Sequence, residues 1–230
     1  MERVWNLERR RDGQFFIAES EIHLWQLDDI EAGWSSQSML DGLSLDEQEK
    51  ADLFGCPLSR NRYIQCRLWL RGVLAGYLGC ERSEVPLVYS DGGKPFLSES
   101  KLDFTLSHSG NRALLGVSLE HELGVDIEKI APVPEAALIS GRWFSAEEHL
   151  SISLANDADM AFLQCWVRHE AVHKAIGQGL ALPMDSIKIP CVQNEMGTVF
   201  HGGRKIQVQN VQVKGPYVAA IAWFHKDSQK

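Results

Sequence analysis

Hydrophobic and polar positions alternate along Ile22-His23-Leu24-Trp25-Gln26-Leu27, the period of two that marks a half-buried strand. Ser44-Leu45-Asp46-Glu47 reads as a capping box opening a helix that runs to about Leu53. A longer helix is predicted from near Pro57 to Tyr77, stopped by Gly79. Two strands follow, Lys101 to Leu106 and Ala113 to Leu119, joined by the turn Ser109-Gly110-Asn111-Arg112. Gly124 to Ile130 is a further strand, after which Pro132 and Pro134 interrupt regular structure. Ser145-Ala146-Glu147-Glu148 is a second capping box, and a helix from about Asp159 to Ile176 ends at Gly177 and Gly179. The tail, Lys205 to Phe224, supplies more strands. Both halves, 1–115 and 116–230, therefore run strand, helices, strands. The pattern predicts an α+β fold of two similar, pseudo-symmetric halves, each a small antiparallel sheet packed with helices.

Two acidic motifs sit on these elements. In a strand, Asp126 and Glu128 point to one side while Val125 and Ile127 face the core. Carboxylates so placed repel unless a cation or proton lies between them. On the later helix, Glu170 and Lys174 are four apart and neighbours on one face. Either motif alone is matched by an acidic strand end or an exposed Glu–Lys pair. Together, three carboxylates and a lysine make an oxygen-rich site suited to Mg²⁺ beside a phosphate, with Lys174 neutralising phosphate charge. His169 falls in the apolar stripe of Phe162, Cys165, Val172 and Ile176, about 100° from Glu170, and reads as a packed core-edge histidine. His173 lies nearer the Glu170 face and is expected to be exposed.

Composition adds limits. The 230 residues, 44% hydrophobic, can bury one core or two small ones. A net charge of −8 argues against general binding to nucleic acid or membrane surfaces. No apolar run approaches a membrane span, and Met1-Glu2-Arg3 opens no signal-peptide pattern. Five scattered cysteines (Cys56, Cys66, Cys80, Cys165 and Cys191) suit reduced thiols in a cytoplasmic protein and offer no zinc site. From Leu53 to Cys80 there is no acidic residue, while Arg60, Arg67 and Arg71 share a helix face and Arg62 points elsewhere. That run reads equally as a solvated face or as a surface for an anion or an acidic partner.

In this order the motifs resemble those of Sfp-type 4′-phosphopantetheinyl transferases. Gly-x-Asp-x-Glu is met by Gly124, Asp126 and Glu128, and Trp-x-x-Lys-Glu-x-x-x-Lys by Trp166, Glu170 and Lys174. Gly93-Lys94-Pro95, Phe104-Thr105-Leu106-Ser107-His108-Ser109, the arginine series from Arg60 and Phe144-Ser145-x-x-Glu148 are similar too. The resemblance spans roughly Ser44 to Pro183 and departs at His169, where the family carries lysine. It implies coenzyme A as substrate in a cleft between the halves, with Mg²⁺ or Mn²⁺ held by Asp126, Glu128 and Glu170. Arg62 and His108 would contact the 3′-phosphate; Gly93, Lys94, Pro95 and Ser107 would border the nucleotide. Glu170 would take the proton of an apo carrier protein's serine, Lys174 would stabilise phosphate charge, and the protein would act as a monomer. Arg67 and Arg71 would be candidates for the carrier's acidic helix. Two other readings stand beside this one: a different Mg²⁺-dependent phosphoryl enzyme, and a non-catalytic module binding carrier protein or coenzyme A. Ser107-His108-Ser109 as a nucleophilic pair is disfavoured, because strand neighbours point to opposite faces.

Overall fold

The structure is a computed structural model that describes residues 4–5, 14–28, 30, 37–90, 93–98, 100–177, 183–190 and 196–226. The first sheet comprises β1 (Val4–Trp5), β2 (Ile22–Leu27), β5 (Asp103–Ser109) and β6 (Arg112–Ser118), in the order β1-β2-β6-β5. Only β1 runs parallel to its neighbour. The second, fully antiparallel sheet has the order β7-β10-β9-β8, from β7 (His121–Lys129), β8 (Gly197–His201), β9 (Arg204–Val211) and β10 (Tyr217–His225). A short ribbon, β3 (Leu87–Tyr89) with β4 (Pro95–Leu97), carries the Gly93-Lys94 turn. The helices are α1 (Gln37–Leu40), α2 (Leu45–Asp52), α3 (Pro57–Leu78), α4 (Ala136–Trp143), α5 (Ala146–Ser153) and α6 (Ala158–Ile176).

Alternation along the strands sorts side chains between layers. Leu115 and Val117 of β6 pack with Leu70, Val73 and Leu74 of α3, whereas Leu114 faces the other sheet. There it joins Ile22 and Leu24 against Leu123, Val125, Ile127, Ile221 and Trp223. The opposite face of the second sheet, through Ile206, Val208, Ala220 and Ala222, receives Val167, Ala171, Val172 and Ala175 of α6. The order is thus helix, sheet, sheet, helix. Among the described residues no helix is long and apolar enough to cross a membrane.

Local chemistry sets most element ends. Ser44 and Ser145 close both capping boxes as expected. Pro57 opens α3, and Gly79 ends it in the left-handed region at φ 68°. Asp157 accepts the Met160 N–H at the start of α6, and Gly177 stops it; Gly179 lies outside the described residues. Strands differ more from expectation. β5 starts later and runs through Ser109, and β7 starts at His121 because β10 pairs along its whole length. β6 continues to Ser118, so the division expected at 115/116 falls inside a strand, and Leu119–Glu120 links the two sheets.

The two long helices are tied down alike. Glu47, the third helical residue of its capping box, accepts from Arg71 Nε at 2.6 Å, both side chains buried. Arg71 also donates to the carbonyls of Arg82 and Val85. Arg71 is therefore a core anchor rather than part of an open basic face. Arg60 pairs with Asp52 at the surface, and Arg67 lies over the rings of Tyr63 and Tyr89.

Where α6 crosses β7, nothing separates the two backbones. A Cβ on Gly124 would stand 1.8 Å from the Ala171 carbonyl oxygen and 2.5 Å from the Ala175 nitrogen. Backbone cannot yield as a side-chain tip can. Gly124→Ala should therefore cost about 3 kcal/mol, the upper end for overpacking. Thermal denaturation should show Tm falling by roughly 6–12 °C; an unchanged Tm would mean α6 does not rest on β7 at that point.

Candidate active site

Along β7, Asp126 and Glu128 follow Gly124 on its α6-facing side. The same approach that excludes a side chain at Gly124 brings Glu170 and Lys174 of α6 over these carboxylates. A cavity of about 350 Å³ results, lined by Leu106, Ser107 and His108 of β5, Asp126 and Glu128 of β7, and Trp166, Glu170 and Lys174 of α6.

Its hydrogen bonds are directional. Lys174 Nζ donates to Asp126 Oδ1 at 2.6 Å and to Ser107 Oγ at 3.1 Å, and Ser107 Oγ donates to the same Asp126 oxygen at 2.7 Å. Ser109 Oγ donates to Glu128 Oε2 at 2.7 Å. Asp126 is 3% exposed, and its second oxygen, Oδ2, is buried without a hydrogen-bond partner. Burial raises the Glu170 carboxyl above its ordinary range; Lys174 opposes this, and Asp126 and Glu128 add to it. Burial likewise raises Glu128, against the Ser109 hydrogen bond and with repulsion from Asp126. An orphaned buried carboxylate oxygen beside two carboxyls that resist ionisation is a place where a hard cation fits.

Six predicted residues thus line one cavity: Ser107, His108, Asp126, Glu128, Glu170 and Lys174. Ser107 is buried and His108 exposed, the alternation expected of a strand, yet both border the cavity because β5 forms its rim. Desolvation, then the charges of Lys174, Arg67 and Arg62, hold His108 below its ordinary pKa. Arg62 and Arg67 are therefore close enough to act on His108, although neither lines the cavity. Lys94 reaches from the β3–β4 turn to donate to the Lys174 carbonyl at 3.3 Å, tying that turn to the end of α6. Gly93 holds φ 78° in the same turn, and Pro95 begins β4. Leu106 and Trp166 line the cavity and Ser109 bonds Glu128, roles that the sequence motifs containing them do not assign. For Ser109 a signal existed, since it lies two residues from Ser107 on one side of a strand, as Glu128 does from Asp126.

His169 turns away from the cavity. Fully buried, it stacks on Phe144 with ring centroids 4.5 Å apart, and its Nε2 lies 2.9 Å from Glu148 Oε1. An ionised carboxylate only accepts, so Nε2 carries the proton. Glu148 also accepts the backbone N–H groups of Ser145 and Ile189. Although burial pushes its carboxyl up, the His169, Ser145 and Ile189 bonds outweigh that, and Glu148 titrates below the ordinary range. His173 is buried, not exposed as expected, and burial, His169 and His201 push it down to about 4. The cysteine expectation is also corrected. Cys56, Cys66 and Cys80 are free, but Cys165 is disulfide-bonded, and Cys191 lies outside the described residues. Glu148, Cys165 and His169 gather within 4.8 Å, but the mutual Glu148–His169 bond and the bonded sulfur leave no set of open metal ligands.

Comparison with known proteins relates the chain to a described family. Residues 122–222 match the model of the 4′-phosphopantetheinyl transferase superfamily. The 4′-phosphopantetheinyl transferase HetI of Nostoc sp. is 34% identical over 185 residues, covering 78% of this chain and 78% of that protein. The 4′-phosphopantetheinyl transferase Sfp of Bacillus subtilis is 27% identical over 191 residues, 80% of this chain and 84% of its own.

Replacing Glu148 by Gln turns one of its acceptor oxygens into a donor facing N–H groups. Glu148→Gln should cost about 2 kcal/mol at pH 7, a fall in Tm of roughly 4–8 °C by calorimetry. Because the folded-state pKa is lowered, this stabilisation is complete above the ordinary carboxylate pKa of about 4.3. It is lost as pH falls through the depressed value, so the gap to wild type should close on acidification. A gap that persists unchanged below pH 4 would show that Glu148 acts without its charge.

Proposed function

The chain belongs to the 4′-phosphopantetheinyl transferase superfamily, and we infer that it moves the 4′-phosphopantetheine group of coenzyme A to a serine of an apo carrier protein. Adenosine 3′,5′-bisphosphate leaves. The observation that carries the chemistry is the convergence of Asp126, Glu128, Glu170 and Lys174 on one cavity, with Asp126 Oδ2 buried and unpaired.

Asp126, Glu128 and Glu170 would hold Mg²⁺ or Mn²⁺, which when bound supplies positive charge to the pyrophosphate and the leaving group. Lys174 has three N–H donors and uses two, on Asp126 and Ser107. The third remains for a phosphate oxygen. His108 lines the cleft and feels the charges of Arg62 and Arg67, and the 3′-phosphate would bind on that side. Lys94 ties the β3–β4 turn, which also carries Gly93 and Pro95, to the end of α6, where the nucleotide would lie.

The nucleophile comes from the partner, so the cleft needs a base and no nucleophile of its own. Glu170 is the candidate: it is a carboxylate that lines the cavity one helical turn before Lys174. Serine oxygen bonds to the β-phosphorus of coenzyme A, the bond from that phosphorus to the bridging oxygen breaks, and the serine proton passes to Glu170.

Intact mass of an apo carrier protein after incubation with this protein, coenzyme A and Mg²⁺ tests the reaction. One phosphopantetheine group should be added, and none without metal. Asp126→Ala should retain the fold by circular dichroism and lose about a thousandfold in rate. Unchanged transfer by that variant would sink the metal assignment. Turnover of coenzyme A without any carrier would favour a hydrolase, and binding without transfer a non-catalytic module.

A further inference from the structure

β7 is the terminal strand of its sheet, and among the described residues the flank away from β10 has no ladder partner. β5, the terminal strand of the other sheet, lies along that flank and meets it with side chains in place of backbone. Asp103 Oδ2 accepts the Leu123 N–H at 2.9 Å at one end, and Ser109 Oγ accepts the Lys129 N–H at 3.1 Å at the other. Between them Ser107 donates to Asp126.

Ser109 does two things at once. A hydroxyl has one proton and two lone pairs. With the Lys129 N–H pointing at a lone pair, the proton is free for Glu128, whose Oε2 receives it at 2.7 Å. The arrangement repeats that at Asp126, where Oδ1 is tied to β5 through Ser107 and Oδ2 is left without a partner. In each carboxylate one oxygen is fixed by a β5 serine and the other remains for a cation.

The turn that carries Ser109 is itself fastened to the second sheet. Tyr217 donates its hydroxyl proton to Asn111 Oδ1 at 2.6 Å, and the Arg112 guanidinium lies 4.9 Å from the Tyr217 ring centroid. Arg112 also donates to the Lys214 carbonyl. Tyr217 is the register partner of Lys129, so the clamp acts beside Glu128. Gly110 is required twice over. Its φ is 59°, and a Cβ there would stand 2.8 Å from the Tyr217 hydroxyl and 3.3 Å from Lys129 Cδ.

We propose that Ser109, held by the Gly110-Asn111-Arg112 turn, is a positioning residue that orients Glu128 and so sets the affinity of the cleft for its divalent cation. This rests on the metal reading above. Groups that fix a ligating carboxylate typically change metal affinity ten- to hundredfold when lost. Ser109 acts through Glu128 and does not itself line the cavity, so its effect should fall on metal affinity and leave the rate at saturating metal in place.

The test is calorimetric titration of the full-length protein with Mn²⁺, alone and without coenzyme A, for wild type, Ser109→Thr, Ser109→Val and Asp126→Ala. Threonine and valine share a shape and differ in the hydroxyl, so a packing defect would affect both. Ser109→Val should raise the Mn²⁺ Kd about tenfold, and the Mg²⁺ needed for half-maximal transfer should rise by the same factor. Ser109→Thr should keep the wild-type Kd. Equal Kd values for Ser109→Val and wild type would overturn the proposal, as would weakened binding by both variants alike. If wild type and Asp126→Ala bind Mn²⁺ equally or not at all, the metal reading itself fails and this inference with it.

Discussion

The rest of the cleft depends on one contact, the seating of α6 on β7 at Gly124. Strand and helix normally keep side chains between them; here the Ala171 carbonyl occupies the space a Cβ would fill. That closeness converts two local periodicities into one site. The strand period of two puts Asp126 and Glu128 on the α6 side, and the helical step of four puts Glu170 and Lys174 above them. A longer reach would be needed from Lys174 to Asp126 if the helix stood further off, and the observed 2.6 Å contact would be lost. The glycine of the acidic motif therefore belongs to the geometry of the site as much as its carboxylates do.

A second constraint fixes the helices along their length, and both halves solve it alike. Each uses the capping-box glutamate twice, once for its own helix start and once as the buried partner of a long helix. Glu47 meets Arg71, and Glu148 meets His169. Buried pairs of this kind add little net stability against an apolar alternative, but removing one partner leaves the other stranded. Their value here is registry. Glu148 also collects the Ile189 N–H, so α5, α6 and the segment returning to β8 share one carboxylate. This explains why histidine can stand at 169. What the position requires is a donor to Glu148 with a flat face for Phe144, and imidazole provides both.

The local part of this organisation was legible in the sequence. Both capping boxes, the glycine ends of α3 and α6, and the two acidic motifs depend on residues within four positions of each other. What was not legible depends on partners far away in the chain. Arg71 shares a helical face with Arg60 and Arg67, but its burial follows from Glu47 and the carbonyls of Arg82 and Val85. His173 was placed by helical angle near Glu170, yet α6 is covered closely enough to bury it. The Cys165 disulfide gives no local sign either. Strand alternation correctly separated Ser107 from His108, but only the arrangement of the sheets makes β5 a rim, so that both faces reach the cavity.

The carboxylate cluster is an electrostatically unfavourable part of the fold. Burial and mutual repulsion raise Glu128 and Glu170, while a single ammonium, Lys174, faces Asp126. Sequestering three carboxylates around a buried, unpaired oxygen opposes folding. The surrounding structure must offset that, and the anchors do so from outside the cavity: Gly124 beneath α6, Glu148 behind it, and the Tyr217-clamped turn beside Glu128. None of these contacts reaches into the space a substrate would fill. Rigidity is supplied at the back of the site while acceptor capacity is left at the front, and one free oxygen on Asp126 is the direct trace of that division.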